Sequence, residues 1–145
     1  MLLSSARAPR LHGRLSSNVR PYGFEMPDFV PTIDDETLKR LVNRDFTSDT
    51  TDRVHSLLET YGANTHHIER NRVRAAILKL ANGDLRAIQQ QVSVAITDFR
   101  DVVGAAEYPR QMEIGFVGMS RASEEHLQDL KNQDWKDYCD WLHKP

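Results

Sequence analysis

Residues 83–103 read GDLRAIQQQVSVAITDFRDVV, and the fold turns on how this stretch is read. Leu85, Ile88, Val92, Ala95, Phe99 and Val102 recur at spacings of 3, 4, 3, 4 and 3, with Gly104 just past the last of them. Such a pattern lines one face of an α-helix and is incompatible with the two-residue period of a strand. Ile96 and Val103 widen the stripe by one position, which suits a helix seated in a bundle core better than a narrow coiled-coil seam. The polar end, TDFRD, poses a separate question: it either closes a packing helix or belongs to a site.

Upstream of this stretch, Asn64 or Thr65 can cap a helix that runs to Ala81, and its second half, AAILKLA, is apolar nearly all round. A segment of that kind is buried on most sides. Asn82 and Gly83 suit a helix C-terminus, and Asp84 can cap the next helix by accepting from a free backbone N–H in its first turn. So short a connection folds two helices back on one another. The spacing predicts a central antiparallel helical hairpin in which Val73 faces Val92 and Ile77 faces Ile88.

Further out the pattern is also helical. Asp34, Asp35 and Glu36 precede Leu38, Leu41 and Val42, giving a helix over about 34–44. Ser48 and Asp49 precede Val54, Leu57, Leu58 and Tyr61, with Gly62 behind them, giving a second over about 49–61. After Gly104 the stretch AAEYPRQMEIGFVGMS reads as an ordered, packing loop anchored by Met112, Ile114, Phe116, Val117 and Met119, with a short extended piece. Ser120 or Ser123 opens a last helix, with Glu124 and Glu125 in its first turn, and Asn132 can split it. The fold class is all-α: a small bundle of four to five helices around the hairpin.

Composition sets the outer bounds. The chain has 145 residues, 39% of them hydrophobic and 28% charged, which suits one globular domain. No apolar run approaches the roughly 18–20 residues needed to cross a bilayer, so no membrane partner is expected. The single cysteine, Cys139, cannot form an internal disulfide, and a cytoplasmic location is expected. The formal net charge is −2, but residues 1–24 carry four arginines and no acid, leaving −6 on the remainder. Residues 1–25 read as a disordered basic tail or as a mis-set start with Met26 as the true first residue. An organelle transit peptide and a nucleic-acid arm are the other readings of this segment. Residues 26–145 form the single helical domain.

AAILKLANGDL, DFRDVV followed by AEYP, and the ending DWKDYCDWL together resemble a group of short bacterial proteins. These share an A-[IV]-L-K-L-x-x-G-D-L hairpin, a D-[YF]-R-D-[VL] helix end and a terminal D-x-x-x-Y-x-x-W-L. The resemblance spans Asn71 to Leu142. It implies a bacterial source and a helical fold, and it carries over no catalytic residue.

Candidate sites are few. Following the stripe backward from Leu80, Ala76 and Val73 leads to Glu69 and His66, two polar residues in core-facing positions at the open end of the hairpin. Opposite them stand Asp98 and Asp101 of TDFRD. His66, Glu69, Asp98 and Asp101 are the candidate metal ligands, since imidazole and carboxylates one turn apart can share an ion. The alternative is a solvated helix end in which Arg100 pairs with a carboxylate. No E-x-x-H repeat, P-loop or dinucleotide fingerprint occurs, and no cofactor is expected. Gly115 and Gly118 have the spacing of an RNA-clamping loop but enclose Phe116 and Val117 instead of polar residues. Arg70, Arg72 and Arg74 divide between helix faces of an acidic body, so nucleic acid is not expected as a partner. Trp135, Tyr138, Trp141 and Leu142 are the candidate partner-binding residues, because aromatics bury large areas at small entropic cost; their other reading is as cover for the bundle's own core. Two functions follow: a non-enzymatic helical module that binds a protein or itself, or a small metal-dependent enzyme at the end of the hairpin.

Overall fold

Asp34 opens the first helix by accepting a hydrogen bond from the Thr37 backbone N–H at 2.8 Å. The computed structural model describes residues 30–145 except His66 and Ile68. Residues 1–25, read above as tail or mis-set start, lie outside the described residues. From Pro31 to Pro145 the chain is one unit. It contains six helices and, among the described residues, no strand: α1 (Asp35–Asp45), α2 (Thr51–Thr60), α3 (Arg70–Ala81), α4 (Leu85–Glu107), α5 (Pro109–Arg121) and α6 (Glu124–His143). The described residues are all-helical, with six helices where the sequence suggested four to five.

The core forms where the apolar spacing places it. Leu38, Leu41 and Val42 of α1 are buried with Val54 and Leu58 of α2. On α3, Val73, Ala75, Ala76, Ile77, Leu78 and Ala81 are all buried, so AAILKLA occupies the interior. Ile88, Val92, Ala95, Val102 and Val103 of α4 close over it. The packing of α3 against α4 is more extensive than that of any other pair of helices. Between them, Asn82 and Gly83 take positive φ values of 49° and 83°, and Asp84 accepts from the Arg86 N–H at 2.9 Å. Gly83 is required twice over: its φ disfavours a side chain, and a Cβ there would stand 3.2 Å from the Asp45 carbonyl oxygen.

Three expectations about local structure change. First, α4 is longer than the sequence stripe and is broken inside it. Asp98 has extended backbone angles (φ −156°, ψ 101°), and helix resumes behind it to Glu107. The Asp98 carboxylate accepts from the Arg100 N–H at 3.0 Å, so it acts as an N-cap inside the helix. Ile96 is 50% exposed instead of widening the core face, and Phe99 is only partly buried against the core.

Second, the stretch read as a packing loop is helix α5. Pro109 occupies its first turn, where a missing N–H costs nothing, so the proline marks a start. Gly104 lies within α4, with the Met112 side chain so close that a Cβ would meet its Sδ at 2.7 Å. Third, α6 runs unbroken through Asn132, whose Oδ1 accepts from Gln128 Nε2 one turn earlier at 3.0 Å. Ser123 caps α6 by accepting from the His126 N–H at 3.1 Å.

Candidate functional site

Among the described residues, Glu69, Asp98 and Asp101 do not join a group of three or more His, Cys, Asp or Glu side chains that could hold a metal ion. α3 begins at Arg70, and Glu69 before it is left-handed (φ 48°), so the helical stripe cannot be carried back through it. Before it, His67 Nδ1 accepts from the Gly62 N–H at 2.8 Å while its ring stacks on Tyr61 at 4.6 Å. Glu69 is bound by Arg72 at 2.8 Å. Asp98 is bound by Arg100 at 2.9 Å, and this guanidinium holds its carboxyl below the ordinary carboxylate value. Asp101 is exposed, and His66 lies outside the described residues. Among the described residues no group of three or more His, Cys, Asp or Glu side chains could hold a metal ion.

The aromatic residues of α6 turn inward. Tyr138 and Leu142 are buried, and Trp135 and Trp141 pack partly buried against the core. Tyr138 lies between the two indoles, with ring centroids 6.2 Å from Trp135 and 5.5 Å from Trp141. The end of α6 is fixed to α1 by Arg40, which donates to the Leu142 carbonyl at 2.7 Å, and by Arg44, which donates to that of Trp141 at 2.7 Å. Arg44 also stands over the Trp141 ring at 5.3 Å. Tyr138 and Leu142 therefore give no surface to a partner: their spacing along α6 is that of a core face.

Two buried carboxylates organise the polar interior, and the sequence reading singled out neither. Glu107, at the end of α4, accepts two bonds from Arg72 of α3, at 2.8 Å from Nε and 2.7 Å from Nη2. Burial pushes the Glu107 carboxyl above its ordinary value, with the guanidinium pulling the other way. Asp134 of α6 is 2% exposed and faces the start of α5, where its oxygens accept from the Arg110 N–H at 3.2 Å and the Gln111 N–H at 3.3 Å. Arg110 Nη1 and Gln111 Nε2 complete the set, at 3.1 and 3.2 Å. Tyr108, the residue before α5, supplies no cap of its own. Both acids fall inside the motifs quoted above, Glu107 in AEYP and Asp134 at the head of DWKDYCDWL. Motif membership was the one signal available for them.

Arg72 and Arg74 of the α3 basic cluster are likewise engaged within the chain. Arg72 is held by Glu107 and Glu69, and Arg74 donates to the Leu58 and Tyr61 carbonyls at 3.1 and 3.0 Å, closing the C-terminus of α2. Beside Arg74 a cleft of about 330 Å³ is lined by Asp35, Glu36, Lys39, His55 and Glu59. Three acids there, Asp35, Glu36 and Glu59, stand with Lys39 and Arg74, and among the described residues the cleft gathers no metal-binding set.

Among the described residues the exposed large apolar side chains are Val30, the α4 residues Val94 and Ile96, and three on α5. Phe116 is 68% exposed, Val117 61% and Met112 46%. The helix is broken between Met112 and the other two at Gly115, whose angles (φ 71°, ψ 177°) belong to a region essentially reserved for glycine. Nothing lies within 4 Å of where a Gly115 Cβ would stand, so the chain is open to solvent at the break. Glu113 and Arg121 are exposed on either side of the apolar pair.

No family model, curated protein or solved structure matches the chain. No helix among the described residues is long and apolar enough to cross a membrane.

Proposed function

We propose that the chain is a non-enzymatic helical interaction module that docks through α5. The observation that carries this reading is the exposure of Phe116 and Val117, two adjacent large apolar side chains on a helix that turns them to solvent. Single exposed apolar residues are ordinary, but neighbouring ones beside a helix break favour a binding surface, and aromatics contribute most where they become desolvated. We read α3 and α4 as the central antiparallel hairpin of the scaffold, and place the protein in the bacterial cytoplasm on the resemblance and the lone cysteine.

Photo-crosslinking tests the docking reading. A photoreactive phenylalanine analogue replacing Phe116 should form a covalent adduct with a protein surface, whereas the same analogue at exposed Asp129 of α6 should not. Adducts that are equal at the two positions, or missing from both, would remove α5 as the docking face.

A further inference from the structure

We propose that residues 112–130 are an arm that melts and re-forms as one unit while the core built on α1–α4 stays folded, with the Asp134 carboxylate as the latch at its root. The proposal stands independently of the docking reading above. Its basis is where burial stops. Gln111 and Lys131 are each 5% exposed, and no residue between them is buried. Ile114, Met119, Leu127 and Leu130 are half-buried at most, whereas Ala75, Ala76, Ile77 and Leu78 of α3 are shut off from solvent altogether. The free energy needed to open a segment follows the apolar contacts it loses, so the arm opens far more cheaply than the core.

Polar contacts do not make up the difference. The side-chain hydrogen bonds of Ser120, His126 and Gln128 stay within α5 and within the start of α6. Among the described residues, no side-chain hydrogen bond or ion pair joins residues 113–130 to α1–α4. Nor can α5 hold itself: the break at Gly115 leaves two pieces, each shorter than the roughly 12–15 residues an isolated helix needs. Ala122 and Ser123, both extended, connect α5 to α6, and α5 packs more extensively on α6 than on α4. Each helix of the arm is thus the other's main support, and losing one removes the other's partner.

At the root the geometry changes. Asp134 accepts from the backbone N–H groups of Arg110 and Gln111 and from the Gln111 side chain. A cap stabilises only a turn that is formed, so melting α5 breaks these bonds and the carboxylate resists the opening.

Native-state hydrogen exchange of the full chain, read residue by residue by NMR at zero and low urea, tests the device. In the wild type, amides of residues 116–127 should exchange at least about a hundredfold faster than those of residues 73–81, with a shallower urea dependence because less surface is exposed. Ile77→Val separates local from global opening. It weakens only the core, so exchange in α3 should rise about fivefold while residues 116–127 keep their wild-type rate. Asp134→Ala should speed exchange in the arm about thirtyfold, and Asp134→Asn, which keeps an accepting oxygen, by less.

Arm amides that match α3 in rate, or that speed up with it in Ile77→Val, overturn the separate opening. Arm exchange left at the wild-type rate by Asp134→Ala overturns Asp134 as the latch. Should the alanine variant fail to fold, the same comparison is made on Asp134→Asn, where an unchanged rate has the same meaning.

Discussion

Asp134 and Gln111 are both buried, lie 23 residues apart in the chain, and share one carboxylate oxygen, which accepts from the Gln111 N–H at 3.3 Å and from its Nε2 at 3.2 Å. One helix thus supplies the N-terminal cap that another lacks. The usual cap is a side chain at the residue just before the helix, accepting from the second or third N–H. In α5 that position is Tyr108, and an acid from α6 does the work instead.

Removing this cap should be costly. Asp134→Ala leaves two buried N–H groups without an acceptor and is expected to cost about 2–3 kcal/mol in urea unfolding. Hydrogen exchange should accelerate at Arg110 and Gln111 before it does in α3. Asp134→Asn keeps an accepting oxygen and should fall between wild type and Ala. A loss under about 0.5 kcal/mol for Asp134→Ala would mean that α5 is held by other contacts.

The Arg72 and Glu107 pair should behave as a unit. Arg72→Met strands a carboxylate that is 5% exposed and should cost about 3–5 kcal/mol, while Arg72→Met/Glu107→Leu should recover most of the loss. Additive losses in the double variant, measured by chemical denaturation, would show that the two residues stabilise the fold through separate contacts.

The same carboxyl sets a pH dependence. Burial raises the folded-state value of Glu107 above its ordinary 4.5, so the folded protein binds this proton more tightly than the unfolded chain does. The resulting stabilisation is fully present below 4.5 and is lost as pH rises through the folded value. Glu107→Gln cannot titrate. The stability of wild type relative to Glu107→Gln should therefore decline from acid toward neutral pH, and the opposite slope would show that pairing with Arg72 outweighs burial.

At the break in α5, Gly115→Ala meets no neighbouring atom, so its whole effect is on the backbone. Forcing a side chain into φ 71°, ψ 177° should cost about 1–3 kcal/mol by thermal unfolding. An unchanged or higher melting temperature would indicate that α5 straightens freely.

For the TDFRD segment, Asp98→Asn should keep the cap on Arg100 and melt close to wild type, with Asp98→Ala lower than both. If chelator shifted the melting temperature of the wild type, TDFRD would have a metal-dependent role in place of a capping one.

Residue order alone determined the elements whose signals are local. Asn82, Gly83 and Asp84 mark the junction of α3 and α4 because positive φ and an N-cap are properties of two or three neighbouring residues. Ile88, Val92 and Ala95 are buried as their spacing requires, and Ser123 starts α6 for the same kind of reason. Tertiary structure decided what depends on partners distant in the chain. Whether Pro109 begins a helix or ends one depends on Asp134 being there to receive the first N–H groups. Whether Glu107 is buried depends on Arg72, 35 residues away, arriving to share its charge. Ile96 and Phe116 have the same apolar chemistry as Ile88 and Phe46, yet the first pair is exposed and the second buried. A side chain's hydrophobicity fixes only what its burial would be worth; the helix face that neighbouring elements cover chooses which side chains receive it.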